Sequence, residues 1–253
     1  MNHCIARVPY LNSAPFFRGL RLGPSYTVSD GTPSELGRRA GAGELLAGLL
    51  PLADYLRLRE TYERLGRFGI AVRGRARSVL LFSRVPLRQL GGAAITVTQE
   101  TSTTAVLLRL LLERRYRLAP ASYQRGEGVE RDALLLIGDE ALRFQSANTW
   151  YPYETDMALE WWLWQHLPCV FAVWAIRKDA DAEQKRQVEA ALSGTLALNK
   201  QDLPGLAHAR AGALGSSADS LTAYLSRFIY RFGQEEEAGL QRFEALAHES
   251  GLL

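Results

Sequence analysis

Four short stretches set polar side chains where chemistry could occur. In PYLNSAP (9–15), Asn12 and Ser13 follow Tyr10 and Leu11 and precede Pro15, with no charge among them. Asn12 or Ser13 suits the cap of a helix starting near Ala14, and a proline suits a first helical turn. A helix start also leaves N–H groups without partners and a partial positive charge, both of which favour an anion. In TVTQETSTTAVLL (96–108), a strand-like run gives way to Thr101, Ser102, Thr103 and Thr104 before an apolar helix. One hydroxyl is enough for a cap, so four in a row point to a cradle for a carboxylate or phosphate. The Gly-Lys-Ser/Thr ending of a nucleotide loop is missing, which argues against a nucleoside triphosphate.

RARSVLLFS (75–83) heads an apolar strand with Ser78, either an ordinary strand-edge serine or a ligand contact; Arg75 and Arg77 read as solvated. LLIGDEAL (135–142) puts Gly138 and Asp139 directly after an apolar run. Glycine suits a tight turn or close approach by a ligand. Asp139 suits the cap of the following helix, with general-base catalysis as the alternative.

Other chemistries find little support. There is no G-x-S-x-G elbow. His3, His166, His208 and His248 show no ligand spacing with one another or with the cysteines, so no metal is expected. Cys4 and Cys169 lie in apolar runs and read as buried free thiols. The tryptophans of EWWLWQHL (160–167) read as packing of a helix against a sheet. The formal charge of +3 comes from dispersed arginines rather than a basic stripe, which speaks against nucleic acid and mildly favours a small anion. No apolar run reaches about 18 residues, and the opening residues lack a secretion-leader pattern, so no membrane span and a cytoplasmic location are expected. The pattern leaves the oligomeric state open.

The elements that position these residues alternate. HCIARV, YTVSDG, residues 46–51, GIAVRG and SVLLFSRV read as strands, with helices over APFFRGL and from Ser34 onward. A second unit follows: AAITVT, a helix over TTAVLLRLLLERRY, a strand over RDALLLI with a loop at Gly138–Asp139, a helix over DMALEWWLWQHL, and a doubly buried strand over CVFAVWAIRK. The remainder reads as helical. This order predicts a parallel-rich α/β protein of two lobes, residues 1–88 with 175–253 and residues 89–174, with a ligand cleft at the two crossings and a helical C-terminal tail.

Taken together, RVPYLNSAP, LLPLADYL, SVLLFS, the hydroxyl run before LLRLLLE, DALLLIGDEAL and LPCVFAVWAI resemble, in order and spacing, the chorismate dehydratase family of the futalosine route to menaquinone. The resemblance implies a type II periplasmic-binding-protein-like fold, no cofactor, and elimination of water from chorismate to give 3-[(1-carboxyvinyl)oxy]benzoate. It implies Asn12 and Ser78 as catalytic residues. Substrate contacts are implied for Tyr10, Ser13, Thr101, Ser102, Thr103, Thr104, Gly138 and Asp139. Where the family carries Ser-Arg at its helix start, this chain has Thr101 and Ser102, so the hydroxyls persist and the arginine does not. Two competing readings are a non-catalytic solute-binding protein for a small carboxylate and the related cyclic dehypoxanthinyl futalosine lyase. The lyase's Cys-Pro-Asn-Asp pattern does not match YLNSAP.

Overall fold

The computed structural model describes residues 3–126, 128 and 131–253. The chain runs through β1 (His3–Arg7), a 3-10 turn at Leu11–Ser13, α1 (Ala14–Phe17), β2 (Tyr26–Asp30), α2 (Pro33–Gly41), β3 (Ala47–Pro51), α3 (Leu52–Leu58) and β4 (Tyr62–Val72). It continues with β5 (Val79–Ser83), β6 (Ala94–Val97), α4 (Thr103–Arg109) extended by a π-helical turn, β7 (Ser122–Arg125), β8 (Ala133–Ile137), α5 (Gly138–Ala147), β9 (Tyr153–Asp156) and α6 (Met157–Gln165). Then come β10 (Cys169–Arg177), α7 (Ala182–Gln201), α8 (Leu203–Leu214), α9 (Ala218–Leu225), β11 (Phe228–Arg231) and α10 (Gln234–Glu249).

Two sheets result, one of six strands in the order β11-β4-β10-β3-β1-β2 and one of five in the order β7-β6-β8-β5-β9. Each is mixed rather than parallel-rich. β1 pairs parallel with β2 and β3, and β6 with β7 and β8, while β10, β4, β11, β5 and β9 join antiparallel. Continuous apolar runs became the inner strands, because both faces of β3, β5 and β8 are covered and all five residues of each are buried. One core cluster joins the lobes, with Ile5, Leu49 and Trp174 from the first and Val79, Leu107 and Leu135 from the second.

The expected lobe boundaries need correction. β5 pairs with β8 and β9, so residues 79–83 belong to the second sheet and not to a first lobe reaching 88. β10 pairs with β3 and β4 from its first residues, so the return to the first lobe starts at Cys169 and not at 175. The crossings therefore fall at 73–78 and 166–168, and one carboxylate ties the first of them to the start of α6. Asp156 Oδ2 accepts from the Arg77 N–H at 2.7 Å, while Oδ1 caps α6 through Ala158 N and Leu159 N at 3.0 and 3.1 Å.

Local readings differ from the structure in several places. The FIYR segment expected to continue a helix is β11, held by pairing with β4. α3, β7 and β9 add elements that the sequence pattern did not signal. Thr32 rather than Ser34 caps α2, its Oγ1 accepting from Glu35 N at 3.4 Å. Cys169 is buried as expected, but Cys4 is only half-buried; both are free thiols. Trp161 is buried and packs on Trp164 and Phe243, in line with a helix-packing role. No helix among the described residues is long and apolar enough to cross a membrane.

Candidate active site

Parallel strands present their carboxyl ends to a shared crevice, the usual ligand position in open α/β sheets. Here the ends of β1, β3 and β8 meet a cleft with about 570 Å³ of open space, mouth included. The first lobe contributes Val8, Tyr10, Asn12, Ser13, Pro33, Leu49, Pro51, Ile70, Phe171 and Ala172. The second contributes Ser78, Val79, Thr101, Thr103, Thr104, Ile137 and Gly138. Among the described residues, none of these lining side chains is acidic or basic. The starts of α2, α4 and α5 all reach the wall, at Pro33, Thr103 and Gly138. The helix dipoles favour an anion at those starts, while Glu35 in the first turn of α2 and Asp139 and Glu140 in that of α5 oppose it.

Asn12, Ser78 and Thr103, read as members of one site, do line one cleft. Asn12 sits in the 3-10 turn after β1, half-buried, and its side-chain amide has no partner among the described residues. Ser78 has no exposed surface; its carbonyl accepts from Gly138 N at 2.8 Å, and its hydroxyl meets the Tyr224 hydroxyl at 2.9 Å. Thr101 Oγ1 accepts from Thr104 N at 3.2 Å and thereby caps the start of α4. Thr103 Oγ1 accepts from Ala53 N at 3.1 Å, across the cleft.

Gly138 lines the cleft with φ at +59°, and a Cβ there would lie 2.6 Å from the Tyr10 ring. Glycine is required on both counts. The Tyr10 ring thus closes on the opposite lobe, and its hydroxyl donates to Glu100. Burial and that carboxylate push the Tyr10 phenol well above its ordinary value.

Three expectations are corrected. Ser13 lines the cleft but caps no helix; its hydroxyl turns back onto the carbonyls of Val8 and Tyr10, so its proton is committed to the backbone. Ser102 lies behind the cleft, in a separate recess with Arg57 and Arg125, where it donates to Asp54 at 2.5 Å. Burial raises the Asp54 carboxyl, against the lowering effect of Ser102 and Arg57. Asp139 does not line the cleft, and it sits inside the first turn of α5 rather than in a loop or cap. Its Oδ1 accepts from Leu11 N at 2.9 Å, and Oδ2 pairs with Arg210 of α8. It braces the turn that carries Asn12; burial raises its pKa and these donors lower it, with burial the larger effect.

The contacts between lobes went unread in the sequence. Ser34 donates from N and Oγ to the carbonyls of Glu100 and Gln99, at 2.9 and 2.6 Å. With Tyr10–Glu100, Asp54–Ser102 and Ala53–Thr103, these bonds tie loop 98–102 and the start of α4 to the first lobe. Arg125 supports that loop from behind through the carbonyls of Thr98 and Thr101. Each of the contacts between lobes joins residues far apart in sequence, so no single motif announces the pair.

Residues 4–249 match the family described as menaquinone biosynthesis. The chain is 34% identical, over 94% of its length and 92% of the relative's, to chorismate dehydratase of Thermus thermophilus. Among solved structures, a protein from Archaeoglobus fulgidus superposes with a TM-score of 0.79 at 18% identity, covering 99% of this chain and 98% of that one. The periplasmic aliphatic sulphonate binding protein of Escherichia coli superposes at 0.65 and 13% identity, covering 100% and 88%. At such identities the structures show the fold alone, and that fold is periplasmic-binding-protein-like, as expected. A match across nearly the whole chain, on a cleft assembled from the motif residues, makes this protein a member of the menaquinone biosynthesis family.

Proposed function

We propose that this chain is a hydro-lyase that removes water from chorismate, giving 3-[(1-carboxyvinyl)oxy]benzoate. The observation that carries the reading is the likeness to a chorismate dehydratase over 94% of the chain, with Asn12 and Ser78 facing one cleft. Chorismate is a dianion. The starts of α4 and α5, with the hydroxyl of Thr104, suit its carboxylates without a formal cation. The apolar walls at Val8, Leu49, Ile70, Val79 and Phe171 suit the ring.

In the reaction, a proton leaves the ring carbon bearing the enolpyruvyl ether, and the hydroxyl leaves the neighbouring carbon as water. The ring becomes aromatic, which supplies the driving force. Among the described residues, the cleft lining holds no carboxylate, imidazole or amine to take that proton. The substrate's own enolpyruvyl carboxylate is placed to take it, if the protein holds the ring in a reactive shape away from bulk water. Asn12 orients that carboxylate through its unpartnered amide, and Ser78 addresses the leaving hydroxyl. Asp139, tied to Leu11 and Arg210, supports the Asn12 turn instead of acting on the ring. Nothing in this scheme calls for a metal or cofactor.

Purified protein incubated with chorismate alone, followed by mass spectrometry, tests the reading. Loss of one water per chorismate, without any addition, is the expected result. Chorismate that binds and returns unchanged overturns it in favour of a solute-binding role.

A further inference from the structure

Ser78 is a cleft residue whose hydroxyl meets a buried side-chain hydroxyl outside the lining. Tyr224 lies on α9, 146 residues further along, with 1% of its surface exposed. Phe228 packs edge-on against its ring, centroids 5.0 Å apart, and fixes the ring plane. Burial raises the Tyr224 phenol far above its ordinary range, so the hydroxyl keeps its proton. Among the described residues, that proton has one acceptor, Ser78 Oγ at 2.9 Å. A buried phenol proton without an acceptor is costly, so Tyr224 is the donor of the pair. A serine carries one proton and two lone pairs. With Tyr224 occupying a lone pair, the serine's own O–H must find its acceptor elsewhere, and Ser78 borders the cleft.

We propose that Tyr224 is a positioning residue that fixes Ser78 as a hydrogen-bond donor into the cleft, aimed at the leaving hydroxyl oxygen of the substrate. The role rests on the dehydratase reading. As the carbon–oxygen bond breaks, the departing oxygen gains negative charge, and a donor already turned toward it stabilises that charge without reorganising. The phenol strengthens the donor, because a hydroxyl that accepts one hydrogen bond donates a better one. Tyr224 touches no substrate; it acts through Ser78.

A double-mutant cycle with Tyr224→Phe and Ser78→Ala tests this, with kinetics and melting temperature read on all four proteins. Tyr224→Phe is expected to lower kcat about tenfold while KM stays within about threefold. Ser78→Ala is expected to lower kcat by about 100-fold and to lower the melting temperature, because the Tyr224 proton loses its acceptor. Adding Tyr224→Phe to Ser78→Ala should restore the melting temperature and cause no further loss of turnover. Equal losses of kcat from Tyr224→Phe in both backgrounds, or a Tyr224→Phe protein with wild-type kcat, would overturn the inference while leaving the dehydratase reading intact. A wild-type protein that leaves chorismate unchanged overturns both. The recovery of melting temperature reports on the Ser78–Tyr224 pair independently of turnover.

Discussion

The two lobes each offer a strand, a polar turn and a helix start, and they use them differently. In the first lobe, Ser13 turns onto its own backbone, and the neighbouring Asn12 amide has no partner among the described residues. In the second, hydrogen bonds within the protein occupy three of the four hydroxyl residues: Thr101 caps α4, Ser102 holds Asp54, and Thr103 receives Ala53 N from across the cleft. One turn presents a group to a ligand, and the other holds the lobes together around it. Similar sequence cues therefore divide into chemistry and closure, and the division depends on what stands opposite each turn.

The sharpest test of that division is Asn12→Ala. Removing an unpartnered amide should raise the barrier by about 2–4 kcal/mol, roughly a 30- to 1,000-fold loss of kcat. The melting temperature should stay at the wild-type value. A comparable fall in stability would show that Asn12 is structural and that the two turns do not differ.

Next in size is Thr103→Val, which keeps shape but leaves the Ala53 N–H buried and unpaired. It should disfavour the closed form by about 1–3 kcal/mol, seen as a 5- to 150-fold weaker affinity for chorismate by calorimetry. Thr101→Val, two residues earlier, should instead act through the α4 cap, costing about 0.5–2 kcal/mol of stability in urea melts. Equal effects on affinity from the two variants would erase the distinction between closing and capping.

The smallest effect concerns the recess behind loop 98–102. Burial raises the Asp54 carboxyl above its unfolded value. A raised carboxyl binds protons more readily when folded, so its contribution is full below the unfolded pKa and is lost as pH rises through the folded one. Asp54→Asn should therefore gain on the wild type, in relative stability, as pH rises through that window. Urea midpoints across the acid range measure it, and a variant that loses ground to the wild type as pH rises contradicts the assignment.

How much was readable varies from element to element. Asn12, Thr101, Thr103 and Gly138 were legible because a strand end, a polar turn and a helix start are local patterns. The strands at 47–51 and 133–137 were legible because fully buried β-strands are unbroken apolar runs. β11 was not, since FIYR is four residues long and owes its extended form to pairing with β4. The positions of Ser102 and Asp139 were misjudged for a related reason. Residue type shows that a group can bind, whereas its direction depends on the backbone turn and on what lies beyond it.

The chain on its own settled the two-lobed α/β class and the family resemblance. These rest on periodicity, side-chain type and the order of short motifs, all written along one dimension. Folding in three dimensions decided where the lobes divide, which hydroxyls remain to meet a ligand, and that Tyr224 stands behind Ser78. Several of those outcomes depend on contacts between residues 48 to 146 positions apart, and no local pattern encodes which distant groups a fold will bring together.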